Sequence, residues 1–121
     1  MAYYSFGGEG RATHPAEIRL GGRFYSYAEK YSEKSSAKLD IKAELSPSVA
    51  KKLKRYSVRL ATALGIRHFA RFDYFLSGDN IYFSEVNTIP GMTPKSMFLS
   101  MLKEDGVDFS AFLSLALGGI E

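Results

Sequence analysis

Between Ser46 and Gly65, apolar residues fall at Val49, Leu53, Tyr56, Leu60 and Leu64, a spacing of three or four that lays one stripe along a helix. Ser46 is placed to cap that helix, Pro47 to occupy its first position and Gly65 to stop it. A different rhythm governs residues 67–87. "RHFARFDYFL" (67–76) and "IYFSEVN" (81–87) are aromatic-rich, and the turn cluster "SGDN" (77–80) separates them, which predicts a β-hairpin. A second hairpin is predicted upstream, from "PAEIRL" (15–20) through Gly21-Gly22 to "RFYSY" (23–27). The polar run 28–42 reads as a mobile loop ending in a short strand, and residues 1–14 as a frayed strand followed by a loop. Thr93-Pro94 starts a helix that runs to about Glu104 and is stopped by Gly106. Asp108 caps a last helix, through about Leu117. The order β-β-loop-α-β-β-α-α predicts an α+β domain, an antiparallel sheet with helices on one side.

Composition narrows the picture only a little. The 121 residues suffice for one domain with a real core, and 45% apolar with 24% charged residues is ordinary for a soluble protein. With no cysteine, disulfides, thiolate zinc sites and a cysteine nucleophile are excluded. No apolar run approaches the roughly 18 residues a membrane span needs, and no secretory signal pattern opens the chain, so a cytoplasmic protein is the expectation. The net charge of +3 is too small to imply nucleic acid. Lys51, Lys52, Lys54, Arg55 and Arg59 lie off the helix stripe. They read as a solvated face or a nucleic-acid surface, and the lack of interleaved stacking aromatics favours the first.

The second hairpin holds the candidate chemistry. A three-residue loop, Gly78-Asp79-Asn80 with Asn80 left-handed, would set Asp73 opposite Glu85 and Arg71 opposite Asn87. Those four would then share one face. Phe72, Tyr74, Leu76, Tyr82 and Val86 would form the other, with Phe75 and Phe83 among the charged residues. A loop of two or four residues would put the acids on opposite faces. Two opposed carboxylates repel unless something positive lies between them. With a carboxamide beside them they form a hard-oxygen set suited to Mg²⁺ or Mn²⁺, and Arg71 can meet an anion. A surface hairpin with an Arg–Asp ion pair fits the same spacing. The following loop, "NTIPGMTPKSM" (87–97), leads into a helix with Ser96 and Met97 in its first turn. That is a potential anion site, with Gly91 allowing close backbone approach and Pro90 and Pro94 fixing the path; ordinary helix entry explains it equally well. His14 and His68 fall in no ligand spacing.

The string "ARFDYFL…IYFSEVNTIPGMTPKSM", preceded by "EIRLGGRFYSYAEKY", resembles the C-terminal part of D-alanine–D-alanine ligases, ATP-grasp enzymes of peptidoglycan synthesis. The resemblance spans about Pro15 to Leu117. It implies an α+β ATP-grasp C-terminal subdomain over residues 15–121, an antiparallel sheet packed against helices. The N-terminal domain and most of the central domain would be absent, and residues 1–14 would be a residual or added start. It implies ATP and two Mg²⁺ (or Mn²⁺) ions as cofactors, with Asp73, Glu85 and Asn87 as metal ligands. Arg71 and Gly91 would stabilise the tetrahedral intermediate, and Ser96 with the Met97 backbone N–H would hold the second D-alanine's carboxylate. Lys30 would contact ATP phosphates, while Tyr27 and Tyr31 would sit on a closing loop. Phe75 and Phe83 would pack or lie beneath the nucleotide. Expected partners are small molecules and, for the full-length enzyme, a second copy, with neither nucleic acid nor membrane. The isolated chain would be inactive. D-lactate or D-serine as acceptor, and a non-catalytic ATP-grasp-like binding module, are the alternatives.

Overall fold

The computed structural model describes residues 1–6, 8–19 and 38–118. Within them are strands β1 (Ala2–Tyr4), β2 (Arg11–Ala12), β3 (Glu17–Arg19), β4 (Lys38–Asp40), β5 (Phe69–Ser77) and β6 (Asn80–Asn87), and helices α1 (Pro47–Ala63), α2 (Met97–Glu104) and α3 (Phe109–Gly118). One sheet has the order β2-β1-β5-β6 with antiparallel neighbours throughout. A small second sheet pairs β3 with β4, antiparallel, Ile18 opposite Leu39. The strand expected at 23–27 lies outside the described residues.

Successive strand residues face opposite sides of a sheet, and around β1 and the start of β5 both sides are covered, while most of β6 is exposed. Tyr3, Ala70 and Phe72 point to one side and pack with Ala61 of α1. Ala2, Tyr4 and Phe69 point to the other and pack with Phe98, Met101, Leu102 and Phe112 of α2 and α3. The expectation of helices on one side is therefore corrected. The single apolar stripe of α1 satisfies one face only, and α2 and α3 bring a second cluster to cover the other. Residues 2–4, expected to fray, form an internal strand in which Ala2 and Tyr3 are buried.

Helix α1 obeys its cap signals. The Val49 N–H donates to Ser46 Oγ at 3.3 Å, and Pro47 stands in the first turn. Gly65, at φ 71°, ends it with the Gly65 N–H on the Thr62 carbonyl and the Ile66 N–H on the Ala61 carbonyl. Ser46→Ala should cost about 1 kcal/mol of stability, read from the urea midpoint at unchanged slope. The buried line is Val49, Leu53, Ser57 and Ala61, rather than one passing through Tyr56, Leu60 and Leu64. Leu64 is exposed. Ser57 is tolerated there because its hydroxyl is satisfied, 2.7 Å from the Tyr74 hydroxyl and 3.0 Å from Met1 Sδ. Burial raises the Tyr74 pKa, and the Ser57 hydrogen bond opposes that rise.

Helix α2 begins one turn later than Thr93-Pro94 suggests. Those residues form a turn closed by the Ser96 N–H on the Thr93 carbonyl at 2.9 Å, and Ser96 becomes the residue before the helix. Gly106, at φ 87°, stops α2 as expected, and Asp108 Oδ1 caps α3 by accepting from the Ala111 N–H at 2.8 Å.

Candidate functional site

The hairpin β5–β6 reaches the expected pairing by an unexpected route. Its turn has two residues, Gly78 and Asp79, closed by Ser77 opposite Asn80. Gly78 at φ 60° supplies the positive angle, and Asn80 does not adopt one. From there Leu76 faces Ile81, Phe75 faces Tyr82 and Tyr74 faces Phe83. Left uninterrupted, this register would set Asp73 opposite Ser84 and turn Glu85 to the wrong side. A β-bulge intervenes: Ser84 is the extra residue, and beyond it Asp73 faces Glu85, Phe72 faces Val86 and Arg71 faces Asn87. The sign in the sequence is the unbroken apolar run Ile81-Tyr82-Phe83, which no strict alternation accommodates.

The bulge also exchanges two aromatics. Phe83, expected on the charged face, packs with Phe72 and Tyr74 at ring distances of 6.3 and 5.9 Å. Tyr82, expected on the core face, lies opposite exposed Phe75 and is itself exposed.

Arg71 supplies the positive group between the acids. Its Nε donates to Asp73 Oδ1 at 2.9 Å and its Nη2 to Asp73 Oδ2 at 3.0 Å, while Nη2 lies 4.0 Å from Glu85 Oε1. A two-point contact of this kind is stronger and more directional than a single hydrogen bond. Exposure rises along the set, with side chains 13% exposed for Arg71, 28% for Asp73 and 53% for Glu85. The carboxylates thus open outward from a guanidinium anchored at the sheet. Asn87 is oriented too, its Oδ1 accepting from the Ile89 N–H at 3.0 Å.

The charged face is the side on which α2 packs, since Ala2, opposite Arg71 across β1, belongs to the Phe98 cluster. The loop between β6 and α2 buries Pro90 and leaves Gly91 exposed. A Cβ added at Gly91 would meet only Ser96 Cβ, at 3.6 Å, so the protein's own packing does not require glycine there. Ser96 Oγ is buried, makes no cap hydrogen bond to its helix and has no hydrogen-bond partner among the described residues. A buried hydroxyl left this way is costly unless a ligand meets it. Tyr27, Lys30 and Tyr31 lie outside the described residues.

Two opposed carboxylates and an adjacent carboxamide, with neither imidazole nor thiolate among them, fit a hard divalent cation such as Mg²⁺. Asp73 keeps lone pairs beyond the two that meet Arg71, and Asn87 Oδ1 keeps one beyond its contact with Ile89. Among the described residues, no helix is long and apolar enough to cross a membrane.

The antiparallel sheet, with three helices among the described residues, is shared with solved D-alanine–D-alanine ligases, which gives the chain the fold of an ATP-grasp C-terminal portion. A family model described as D-ala D-ala ligase C-terminus matches residues 6–117, and the chain belongs to that family. It is 39% identical over 122 residues to a D-alanine–D-alanine ligase of Shewanella baltica, covering 98% of this chain and 36% of the relative. Among solved structures it resembles D-alanyl-alanine synthetase A from Vibrio cholerae (TM-score 0.79, 38% identity, 99% of this chain and 38% of that one). It also resembles the VanG D-Ala:D-Ser ligase from Enterococcus faecalis (TM-score 0.81, 33% identity, 98% and 34%). The chain therefore spans a little over a third of the length of these relatives, and corresponds to the C-terminal domain of the ligase.

Proposed function

We propose that residues 15–121 form the metal- and acceptor-binding portion of an ATP-dependent ligase that joins two D-alanines for peptidoglycan synthesis. The observation that supports this best is the joint placement, on one side of the sheet, of the Asp73–Glu85–Asn87 set and the loop that ends at Ser96, whose buried hydroxyl has no hydrogen-bond partner among the described residues. Asp73, Glu85 and Asn87 are the residues that would hold two Mg²⁺ ions. Such ions, when bound, neutralise phosphate charge and polarise phosphoryl oxygens. Arg71, fixed by Asp73, presents a cation where an oxyanion develops, and the Gly91 N–H is a second donor on the exposed side of the loop. Ser96 Oγ and the Met97 N–H, at the N-terminal end of α2, orient the acceptor's carboxylate. In this reading Lys30 contacts ATP phosphates, and Tyr27 and Tyr31 help exclude water from the acyl phosphate. The whole protein is read as a cytoplasmic homodimer acting on small molecules, with no nucleic-acid or membrane partner.

Similarity to the VanG ligase supports D-serine as a second reading for the acceptor. The test of both is a chimera in which this chain replaces the corresponding segment of the Shewanella baltica ligase. D-alanine-dependent phosphate release is expected, falling about 100-fold or more with Glu85→Gln. A chimera that folds but stays inactive with D-alanine and with D-serine overturns the reading. The 121-residue chain alone should release no phosphate from ATP, yet should gain thermal stability from Mg²⁺, a gain absent in Glu85→Ala.

Gly91→Ala provides a finer check. Its stability should stay within about 0.5 kcal/mol of the parent, because the new methyl meets only Ser96. The same change in the chimera should lower turnover, and undiminished turnover would remove Gly91 from the site.

A further inference from the structure

We propose that the cleft between α1 and β2 binds a multiply phosphorylated small molecule. This cleft has a volume of about 560 Å³, within the usual range for small-molecule sites. Arg11, Lys51, Lys54, Arg55 and Arg59 line it. Neither the Asp73–Glu85–Asn87 set nor the loop from Ile89 to Met97 lines it, so this is a separate site from the one above.

A solvated helix face does not account for this arrangement. Helix α1 contains no acidic residue, and Lys51, Arg55 and Arg59 stand four apart on one row, where like charges repel. None of the five cations forms an ion pair among the described residues; Arg55 instead lies 5.7 Å from the Tyr56 ring centroid. Glu9 and Asp105 are the carboxylates at the cleft, and Asp105 Oδ1 already accepts from the His14 N–H at 3.3 Å. The lining keeps an excess of three positive charges, as large as that of the whole chain. A concave wall concentrates such a field more than a convex one does. Three of the five cations are arginines, whose planar forks match phosphate oxygens in pairs. Val58 and Ala12 give the floor an apolar stretch suited to the organic part of a ligand. No row of exposed aromatics lines the cleft for stacking bases, which separates it from a single-strand nucleic-acid groove.

The test uses the 121-residue chain in EDTA and low salt, titrated calorimetrically with inorganic pyrophosphate and with ADP. The two arms separate inorganic from organic phosphate, and binding of either supports the proposal. Lys51→Ala combined with Arg55→Ala should weaken binding at least about tenfold, the factor expected for losing one charge-assisted hydrogen bond. Lys52→Ala, on the same helix but outside the cleft, should leave it unchanged. Failure of both anions to bind overturns the proposal. So does equal weakening by Lys52→Ala, or duplex DNA binding more tightly than either anion. Because the measurement excludes divalent metal, its failure leaves the hairpin assignment untouched, and the reverse also holds.

Discussion

Phe98→Ala should destabilise the chain by about 3–5 kcal/mol, a large share of the roughly 5–15 kcal/mol available to a domain this size. Phe98 is fully buried, and its ring lies 5.7 Å from Phe69 and 5.5 Å from Phe112, which are themselves 5.6 Å apart. Phe6 extends the group, 5.6 Å from Phe112. Removing the central ring leaves a cavity bounded by sheet, α2 and α3 at once, with little freedom to collapse. It also loosens the helix whose N-terminal end carries Ser96 and Met97. Urea unfolding of the variant beside Leu113→Ala, a half-exposed position on α3, provides the comparison; equal losses would remove Phe98 from its central place.

A second large effect should appear on acidification of the 121-residue polypeptide when it carries a free amine at Met1. The chain's first amine, on Met1, is buried and donates to the Phe72 carbonyl at 2.8 Å. Burial lowers its pKa to about 5 from 8.0; Asp73 opposes that shift and Arg71 adds to it. Between those values the folded amine is neutral while the unfolded one takes up a proton, so the unfolded state binds more protons there. Stability should therefore be full above about pH 8, fall as the pH drops toward 5, and level off below. The loss integrates to roughly 4 kcal/mol at most. An alanine placed ahead of Met1 makes this nitrogen an amide, which can keep the Phe72 hydrogen bond but cannot titrate. The slope between pH 8 and 5 should then largely vanish, and an unchanged slope would assign it to other groups.

Much of the fold was legible in the chain because local chemistry decided it. Ser46, Gly65, Gly106 and Asp108 act at helix ends through their own backbone and side-chain preferences, and the structure uses each as expected. What escaped was decided by tertiary packing. The buried line of α1 runs through Ser57 because Tyr74 reaches its hydroxyl, a partner seventeen residues away that no helical period reveals. Residues 2–4 are too few for a periodic signal and become an internal strand because β2 and β5 flank them. At the candidate site, the pairing of Asp73 with Glu85 was expected correctly from a wrong turn. Two errors, a loop one residue too long and a missed bulge, cancelled in the register while misplacing Tyr82 and Phe83. The α1–β2 cleft was invisible for a related reason, since only the folded chain brings Arg11 to the cations of the helix.

The extra residue at Ser84 has a bearing on how this hairpin can vary in length. Whether Glu85 meets Asp73 depends on parity, the odd or even number of residues inserted between regular pairs. A two-residue turn with one bulged residue and a three-residue turn without one are equivalent in that count. A single insertion or deletion in the paired segments must therefore be matched by another, or by gain or loss of the bulge, if both acids are to stay on one face. Length changes of this kind should be tolerated in compensated steps, so that the turn drifts in sequence while the carboxylates remain together.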